Sequence, residues 1–151
     1  MDPQQRLLLE LGYASLHGAG ERRAGLLGSD VAFFLGIERP DWALRTALAP
    51  APASGGVSAY AATSDTISVA NGRVSFVLGL QGPCASIDAA CASGLVALHV
   101  ASLTVGSGEI SRALVSVVTL KLMPQPTLAA AANPPPTMQC RAALDDQIDS
   151  T

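Results

Sequence analysis

A cysteine between a short strand-like segment and an apolar helix constrains this chain more than any other feature. The segment reads Gly82-Pro83-Cys84-Ala85-Ser86-Ile87-Asp88-Ala89-Ala90-Cys91-Ala92-Ser93-Gly94-Leu95-Val96-Ala97-Leu98-His99. Residues 85–88 predict a short buried strand, and residues 91–105 predict a helix that is apolar on nearly every side and therefore buried all round. Cys91 is thus predicted at the start of a helix that directly follows a strand.

This position suits a thiol nucleophile. The anionic thiolate is the nucleophilic form of cysteine, and the unpaired backbone N–H groups at the start of a helix stabilise a nearby negative charge. The same groups can stabilise the oxyanion formed when a thioester carbonyl is attacked. Ser93 and Gly94 keep the start of the helix narrow, so that a substrate can approach. The alternative is a structural cysteine, because a free cysteine packs like a small hydrophobic side chain.

The region around Cys91 carries almost no charge. Charged residues make up 14% of the chain and hydrophobic residues 49%, whereas charged residues are about 25% of typical soluble domains. Between Arg73 and Arg112 the only charged residues are Asp88 and Glu109. So apolar a stretch predicts a deep core or an interface, and Cys84 is expected to fill one of the two.

The sequence excludes several partners and compartments. A net charge of −3 offers no basic face for the phosphates of a nucleic acid. No apolar run reaches the roughly 18–20 residues of a membrane-spanning helix, and residues 1–6 lack the pattern of a signal peptide. Cys84, Cys91 and Cys140 lack the spacing of a zinc site. We therefore expect a cytoplasmic protein with free thiols and no metal.

Helices and strands alternate along the rest of the chain. Residues 2–19 predict a helix capped by Asp2, with a stripe formed by Leu7, Leu8 and Leu11. Residues 31–35 predict a buried strand, and residues 112–122 predict a central strand. This alternation indicates an α/β layered domain.

Residues 64–80 fit two structures. Asn71-Gly72 between apolar residues is typical of a hairpin. One helical face, however, collects apolar side chains at the right spacing, namely Ile67, Ala70, Val74 and Leu78. We therefore predict a helix here.

The regular pattern ends at Pro124. Residues 133–136, Asn-Pro-Pro-Pro, can continue neither a helix nor an inner strand. We predict a domain at residues 1–130 and a proline-rich, acidic tail at residues 131–151.

Three segments together resemble the N-terminal region of β-ketoacyl synthases, most closely those of modular type I polyketide synthases. In the polyketide enzymes the active-site segment typically reads Asp-Thr-Ala-Cys-Ser-Ser-Ser-Leu-Val-Ala-x-His, and residues 88–99 follow it closely. The opening run, residues 1–10, matches a conspicuous helix of the family. Residues 72–83, Gly-Arg-Val-Ser-Phe-Val-Leu-Gly-Leu-Gln-Gly-Pro, match the helix that enters the active-site strand.

The resemblance implies a thiolase-like fold of two similar α/β halves. This chain would form the N-terminal half, truncated at both ends: a mixed sheet with a buried central helix following the nucleophile strand. It also implies a homodimer, with the strand that ends near Asp88 close to the two-fold interface.

The resemblance also implies an acyltransferase activity. Cys91 would accept an acyl chain as a thioester from the phosphopantetheine arm of an acyl carrier protein or domain, for decarboxylative condensation with a malonyl-type extender. The backbone N–H of Cys91 would be one oxyanion donor, and Ser93 and Gly94 would be substrate-binding residues at the mouth of the site. No tightly bound cofactor and no metal are implied.

Some parts of the family pattern are absent. Alanine or glycine replaces threonine or serine at Ala89, Ala92 and Gly94. The two further histidines that the family uses for decarboxylation have no counterpart here. His99 lies eight residues after Cys91, about 12 Å along a helix axis, which is too far for a hydrogen bond. We expect His99 to be a packed structural residue and His17 to be solvated, which leaves a nucleophile with no identifiable base.

Two alternatives remain open. The chain would be a catalytically inactive ketosynthase-like partner that only dimerises or binds a carrier domain, or another thiolase-fold enzyme such as a thiolase or a chalcone-type synthase. The sequences of residues 2–6 and 72–76 disfavour a thiolase or a chalcone-type synthase. In either case we expect the isolated chain to expose apolar surface and to oligomerise or aggregate.

Overall fold

The computed structural model describes residues 1–38, 41, 42, 48, 63 and 66–132, and the chain divides into two units, residues 1–120 and 121–151. In chain order the first unit contains α1 (Pro3–Gly18), α2 (Arg23–Leu26), β1 (Ala32–Ile37), α3 (Ile67–Leu78), β2 (Cys84–Ile87), a 3-10 turn (Ala90–Ala92), α4 (Ser93–Gly106) and β3 (Ala113–Val118). The second unit contains α5 (Pro124–Ala132) where the sequence predicted a break, because proline is tolerated in the first turn of a helix. Residues 133–151, and with them Cys140, lie outside the described residues.

The three described strands form one parallel sheet in the order β2-β1-β3. Phe33 at the centre pairs with Cys84 on one side and with Leu114 on the other. The central strand is therefore β1, and the prediction that residues 112–122 form a central strand is wrong for the described sheet, where β3 is an edge. The antiparallel component of the expected mixed sheet is not among these strands.

All six residues of β1 are buried, and they alternate between the two faces of the sheet. Phe33, Leu35 and Ile37 belong to the larger apolar cluster, which α1 and α3 cover. Ala32 and Phe34 belong to the smaller cluster, which α4 covers. A strand buried on both faces is typical of parallel sheets, and the continuous apolar run from Val31 reflects it.

The predicted apolar stripe of α1 is only partly correct. Leu8 is buried, but Leu11 is 62% exposed, and the buried face also includes the polar residues Gln4 and Gln5. The Asp2 cap is confirmed, since its carboxylate accepts a hydrogen bond from the backbone N–H of Gln4 at 2.9 Å. The side-chain oxygen of Gln4 in turn accepts a hydrogen bond from the backbone N–H of Leu120 at 3.0 Å.

The ambiguous segment is a helix. Ala70, Val74 and Leu78 of α3 are buried, as the helical spacing predicted. The helix ends at Gly79, whose φ of 71° is a conformation that favours glycine. The side chains that α3 buries against β1 outweigh the local hairpin preference of Asn71-Gly72.

The helix after Cys91 is buried on one face only, so the prediction that it is buried all round is wrong for this chain. Ser93, Ala97 and Ala101 of α4 are buried. On the other side of the same helix, side chains are well exposed: Leu95 74%, Leu98 54% and Leu103 60%. The apolar composition of α4 therefore produces an exposed apolar surface on this chain rather than a complete core.

Candidate active site

The carboxyl end of β2 leads directly into the turn that carries Cys91. β2 ends at Ile87, Asp88 and Ala89 follow, and the 3-10 turn Ala90–Ala92 passes straight into α4 at Ser93. In open parallel α/β sheets, sites form at the carboxyl ends of the strands. The predicted placement of Cys91 between a strand and a helix is confirmed, with one turn of 3-10 helix before the α-helix proper.

Ala90, the residue before the cysteine, has a left-handed backbone with φ of 48°. Alanine rarely adopts this conformation, because its Cβ crowds the backbone. The backbone N–H of Ala90 donates to the carboxylate of Asp88 at 3.2 Å. Strained backbone of this kind is found where a sharp strand-to-helix turn presents a nucleophile. The role of Ala90 was not predicted, because no residue type in the segment marks a left-handed position.

The buried side chain of Ser93 forms two hydrogen bonds to this turn. Its hydroxyl oxygen accepts a hydrogen bond from the backbone N–H of Ala89 at 2.8 Å. The same hydroxyl donates to the backbone carbonyl of Ala90, also at 2.8 Å. Ser93 is only 5% exposed. The binding role predicted for Ser93 stays a prediction, and the hydrogen bonds on this chain run to the turn.

Two glycines let the start of α4 lie against the sheet. A Cβ at Gly36 of β1 would lie 3.1–3.2 Å from atoms of Ser93. A Cβ at Gly94 would lie 3.0 Å from the Cγ2 methyl of Val117 on β3. The role of Gly94 at the mouth of the site stays a prediction, while its contact with β3 explains why a small residue stands there.

The thiol of Cys91 is exposed, and so is that of Cys84. A reagent or substrate can therefore reach Cys91 from solvent. Cys84 stands at the first position of β2 and does not fill the core of this chain. The other predicted place for Cys84, an interface, stays a prediction. The two cysteines differ in setting, because Cys91 follows a strained turn and Cys84 begins a strand.

The two histidines do not supply a base to Cys91. His99 is exposed on α4 rather than packed as predicted, and it is two helical turns beyond the cysteine. His17 is exposed near the end of α1 as predicted, with its ring centroid 6.0 Å from that of Tyr13. Among the described residues, this turn brings together the thiol of Cys91, backbone N–H groups and the exposed carboxylate of Asp88.

Within the described residues, no three histidine, cysteine, aspartate or glutamate side chains come together as a metal site. The helices of this same part of the chain are too short or too polar for any of them to cross a bilayer.

The sequence matches the family model described as the N-terminal domain of β-ketoacyl synthase over residues 1–145, which extends past the boundary predicted at residue 130. The chain is 44% identical over 124 residues to the phenolphthiocerol synthesis polyketide synthase type I Pks15/1 of Mycobacterium bovis. It is 42% identical over the same length to the pikromycin polyketide synthase component PikAII of Streptomyces venezuelae. These alignments cover 82% of this chain but only 6% and 3% of the two relatives.

A solved structure shows the same fold. The ketosynthase from module 6 of the bacillaene synthase from Bacillus subtilis 168 superimposes with a TM-score of 0.74 at 29% sequence identity. The superposition covers 87% of this chain and 21% of that one. The expected thiolase-like architecture is thereby confirmed for the part of the fold that this chain contains.

Proposed function

Because the chain belongs to the β-ketoacyl synthase family, as its N-terminal domain, we propose that it forms the acyl-accepting part of a condensing enzyme in polyketide or fatty-acid synthesis. The observation that carries this proposal is the exposed thiol of Cys91 on the strained turn between β2 and α4. The likeness to polyketide synthase ketosynthases favours this role over that of a non-catalytic partner. The chain spans a small fraction of the length of its relatives. The condensing activity of a whole enzyme is therefore part of the proposal.

The first step is a transfer of the acyl group between two sulfur atoms. The thiolate of Cys91 attacks the thioester carbonyl carbon of an acyl chain carried on the phosphopantetheine arm of an acyl carrier protein or domain. A new C–S bond forms, the bond to the sulfur of the arm breaks, and that sulfur leaves as a thiolate that takes up a proton from water. The backbone N–H of Cys91 is the proposed donor to the intermediate oxyanion.

The second step is the condensation. A malonyl-type thioester loses CO2, and the electron pair left on its α-carbon attacks the carbonyl carbon held by Cys91. The sulfur of Cys91 is released, and the product carries a new β-keto group. His99 lies two helical turns beyond Cys91, and His17 is exposed near the end of α1, so we propose that groups other than these two histidines drive the decarboxylation.

We further propose a homodimer that forms along β2. This strand is an edge of the described sheet, and edge strands expose backbone groups that can pair with a second chain. The exposed thiols of Cys84 and Cys91 support placement in the reducing cytoplasm.

Acylation of the chain by a small thioester tests the central step. The chain is incubated with an S-acyl N-acetylcysteamine and analysed by intact mass and peptide mapping. We expect one acyl group on Cys91 that hydroxylamine removes, since a thioester is labile to it. Cys91→Ala should remove the label, whereas Cys84→Ala should keep it. No acylation of the chain, or acylation of Cys84 at the same rate as Cys91, would refute the proposal.

A further inference from the structure

The geometry points to Ser93 as a positioning residue, because its hydroxyl fixes the direction of the backbone N–H that Cys91 offers to the substrate. The inference rests on the proposed function for its catalytic meaning, since it names the residue that prepares the same site. It gives Ser93 a task distinct from the substrate contact predicted from sequence.

The left-handed conformation of Ala90 needs support from outside the residue. Its φ is 48°, and nothing in an alanine side chain stabilises that conformation. Backbone hydrogen bonds close the turn, from the N–H of Ala92 to the C=O of Ala89 at 3.0 Å and from the N–H of Ser93 to the C=O of Ala90. Two side chains add to them: the carboxylate of Asp88, which accepts from the N–H of Ala90, and the hydroxyl of Ser93. Asp88 and its bond are exposed, whereas Ser93 is buried. The two hydrogen bonds of the Ser93 hydroxyl are part-buried, so water competes for them less than for the exposed bond to Asp88.

The hydroxyl of Ser93 forms hydrogen bonds to the turn on both sides of Ala90. It accepts from the N–H of Ala89 and donates to the C=O of Ala90, each at 2.8 Å. That C=O belongs to the same planar peptide unit as the N–H of Cys91. Because the two groups point in opposite directions in one rigid plane, a fixed C=O of Ala90 fixes the direction of the N–H of Cys91.

Ser93 itself has little freedom to move. Its Cβ, backbone carbon and carbonyl oxygen lie 3.1–3.2 Å from the position a Cβ would take at Gly36. The residue is 5% exposed, and its hydroxyl serves as donor and acceptor at once. Only a side chain with one O–H group at this length can do both. The contact with Gly36 of β1 therefore holds Ser93 in place, and the hydroxyl of Ser93 in turn holds the peptide unit that contains the N–H of Cys91.

The test compares Ser93→Ala with a matched serine on the same helix. Ser102 also donates its hydroxyl to a backbone carbonyl, that of Leu98 at 2.8 Å, but it is exposed and distant from the turn. We expect Ser93→Ala to slow acylation of Cys91 by S-acyl N-acetylcysteamine by about tenfold or more, the scale of a misdirected catalytic group. Ser102→Ala should leave the rate unchanged. Equal rates in the two variants would overturn the inference.

Cys84 provides an internal reference that does not depend on the proposed function. Each variant is alkylated with iodoacetamide, and peptide mapping gives the ratio of the Cys91 rate to the Cys84 rate. We expect Ser93→Ala to change this ratio several-fold, because only Cys91 depends on the turn. If the unmodified chain is not acylated at all, the proposed function fails, and an unchanged alkylation ratio would then separately overturn the role of Ser93.

A second variant separates positioning from folding. Glycine adopts a left-handed backbone without the crowding of a Cβ, so Ala90→Gly added to Ser93→Ala should restore part of the lost acylation. This partial rescue is expected whether the single variant is folded and slow or does not fold. A double variant that folds but stays as slow as Ser93→Ala overturns the inference. So does one that fails to fold, since Ser93 would then be needed for packing rather than for the turn.

Discussion

The helices on the two faces of the sheet bury side chains of different size. On the face covered by α1 and α3, the cluster is made of large residues such as Phe33, Leu35 and Val74. On the face covered by α4, the buried residues of the helix are Ser93, Ala97 and Ala101. Large side chains remove more apolar area from water, so the first face supplies most of the stability. Small ones let a helix approach closely, so the second face supplies the position of Cys91.

A single strand serves both purposes because its side chains alternate. β1 directs Phe33 and Leu35 to one face and presents Gly36 to the start of α4 on the other. A substitution one position along β1 therefore changes a different property of the protein. The comparison predicts that stability and thiol reactivity can be altered separately.

The largest effect on stability is expected at Phe33. Phe33→Ala should lower the free energy of unfolding by about 3–5 kcal/mol, because it leaves a cavity in a fully buried site. The measurement is urea denaturation followed by circular dichroism. Phe76→Ala is the matched control, since Phe76 is 86% exposed and its loss should cost within about 0.5 kcal/mol. Similar costs for the two would show that burial of Phe33 between the sheet and its helices does not account for its contribution to stability.

The next effect concerns the exposed side of α4. Leu95 and Leu98 lie on one helical face, and burying such a side chain yields about 1.5–3 kcal/mol. We expect the isolated chain to form species larger than the dimer proposed along β2 in sedimentation velocity, and Leu95→Gln with Leu98→Gln to reduce these larger species. Leu11→Gln on α1, a leucine of similar exposure, is the control and should leave association unchanged. A parent chain that is monomeric at all concentrations would contradict this expectation.

Two glycine substitutions should act with opposite signs. Gly36→Ala should lower the free energy of unfolding by about 1–3 kcal/mol and reduce acylation of Cys91, because the new Cβ meets Ser93 at 3.1 Å. Gly12→Ala should instead raise stability by up to about 1 kcal/mol. Gly12 is in α1, where alanine is the better helix former and a Cβ would make ordinary contacts at 3.7 Å or more. Destabilisation by both substitutions would show that the two faces are equally crowded.

The smallest expected effect is on the acid dependence of stability, and it comes from a contact outside both faces of the sheet. Ser111 donates its hydroxyl at 2.7 Å and its backbone N–H at 2.8 Å to the carboxylate of Asp30, and these bonds hold the pKa of Asp30 below its ordinary value of 3.8. The folded-state pKa is depressed, so the stabilisation is present above pH 3.8 and is lost as the pH falls through the folded value. Asp30→Asn should therefore weaken the acid dependence of unfolding below about pH 5.

Ser111→Ala serves as the second variant for that experiment. It leaves the carboxylate of Asp30 in place but removes the hydroxyl that contributes most to the lower pKa. Its stability should fall less steeply below pH 5 than that of the parent chain. An acid dependence identical to the parent in both variants would show that the Asp30–Ser111 contact does not contribute to folding.

Sequence patterns predicted the elements and their order where the signal is local. The Asp2 cap, the apolar run from Val31 and the helical spacing around Val74 depend on neighbouring residues, and the structure contains each element. The motif around Cys91 likewise placed the cysteine at a strand-to-helix turn. Period, capping and motif are properties of short segments, so a single sequence carries them.

The features that sequence did not predict depend on contacts far along the chain. Gln4 is buried because it meets Leu120, and α4 is half exposed because only one side meets the sheet. The left-handed backbone of Ala90 follows from hydrogen bonds to Asp88 and Ser93, not from the preference of alanine. Local patterns do not indicate such distant partners, so the spacing of leucines in α1 predicts an apolar stripe although the buried face includes Gln4 and Gln5.

The bond between Gln4 and Leu120 also bears on how the protein is synthesised. Its partners are 116 positions apart, so the ribosome must release nearly all of the first unit before the bond can form. β1 meets the same delay, because one of its two neighbours is β3. Until β3 emerges, one edge of this strongly apolar strand stays unpaired, and chaperones that shield such edges would be needed longest during that interval.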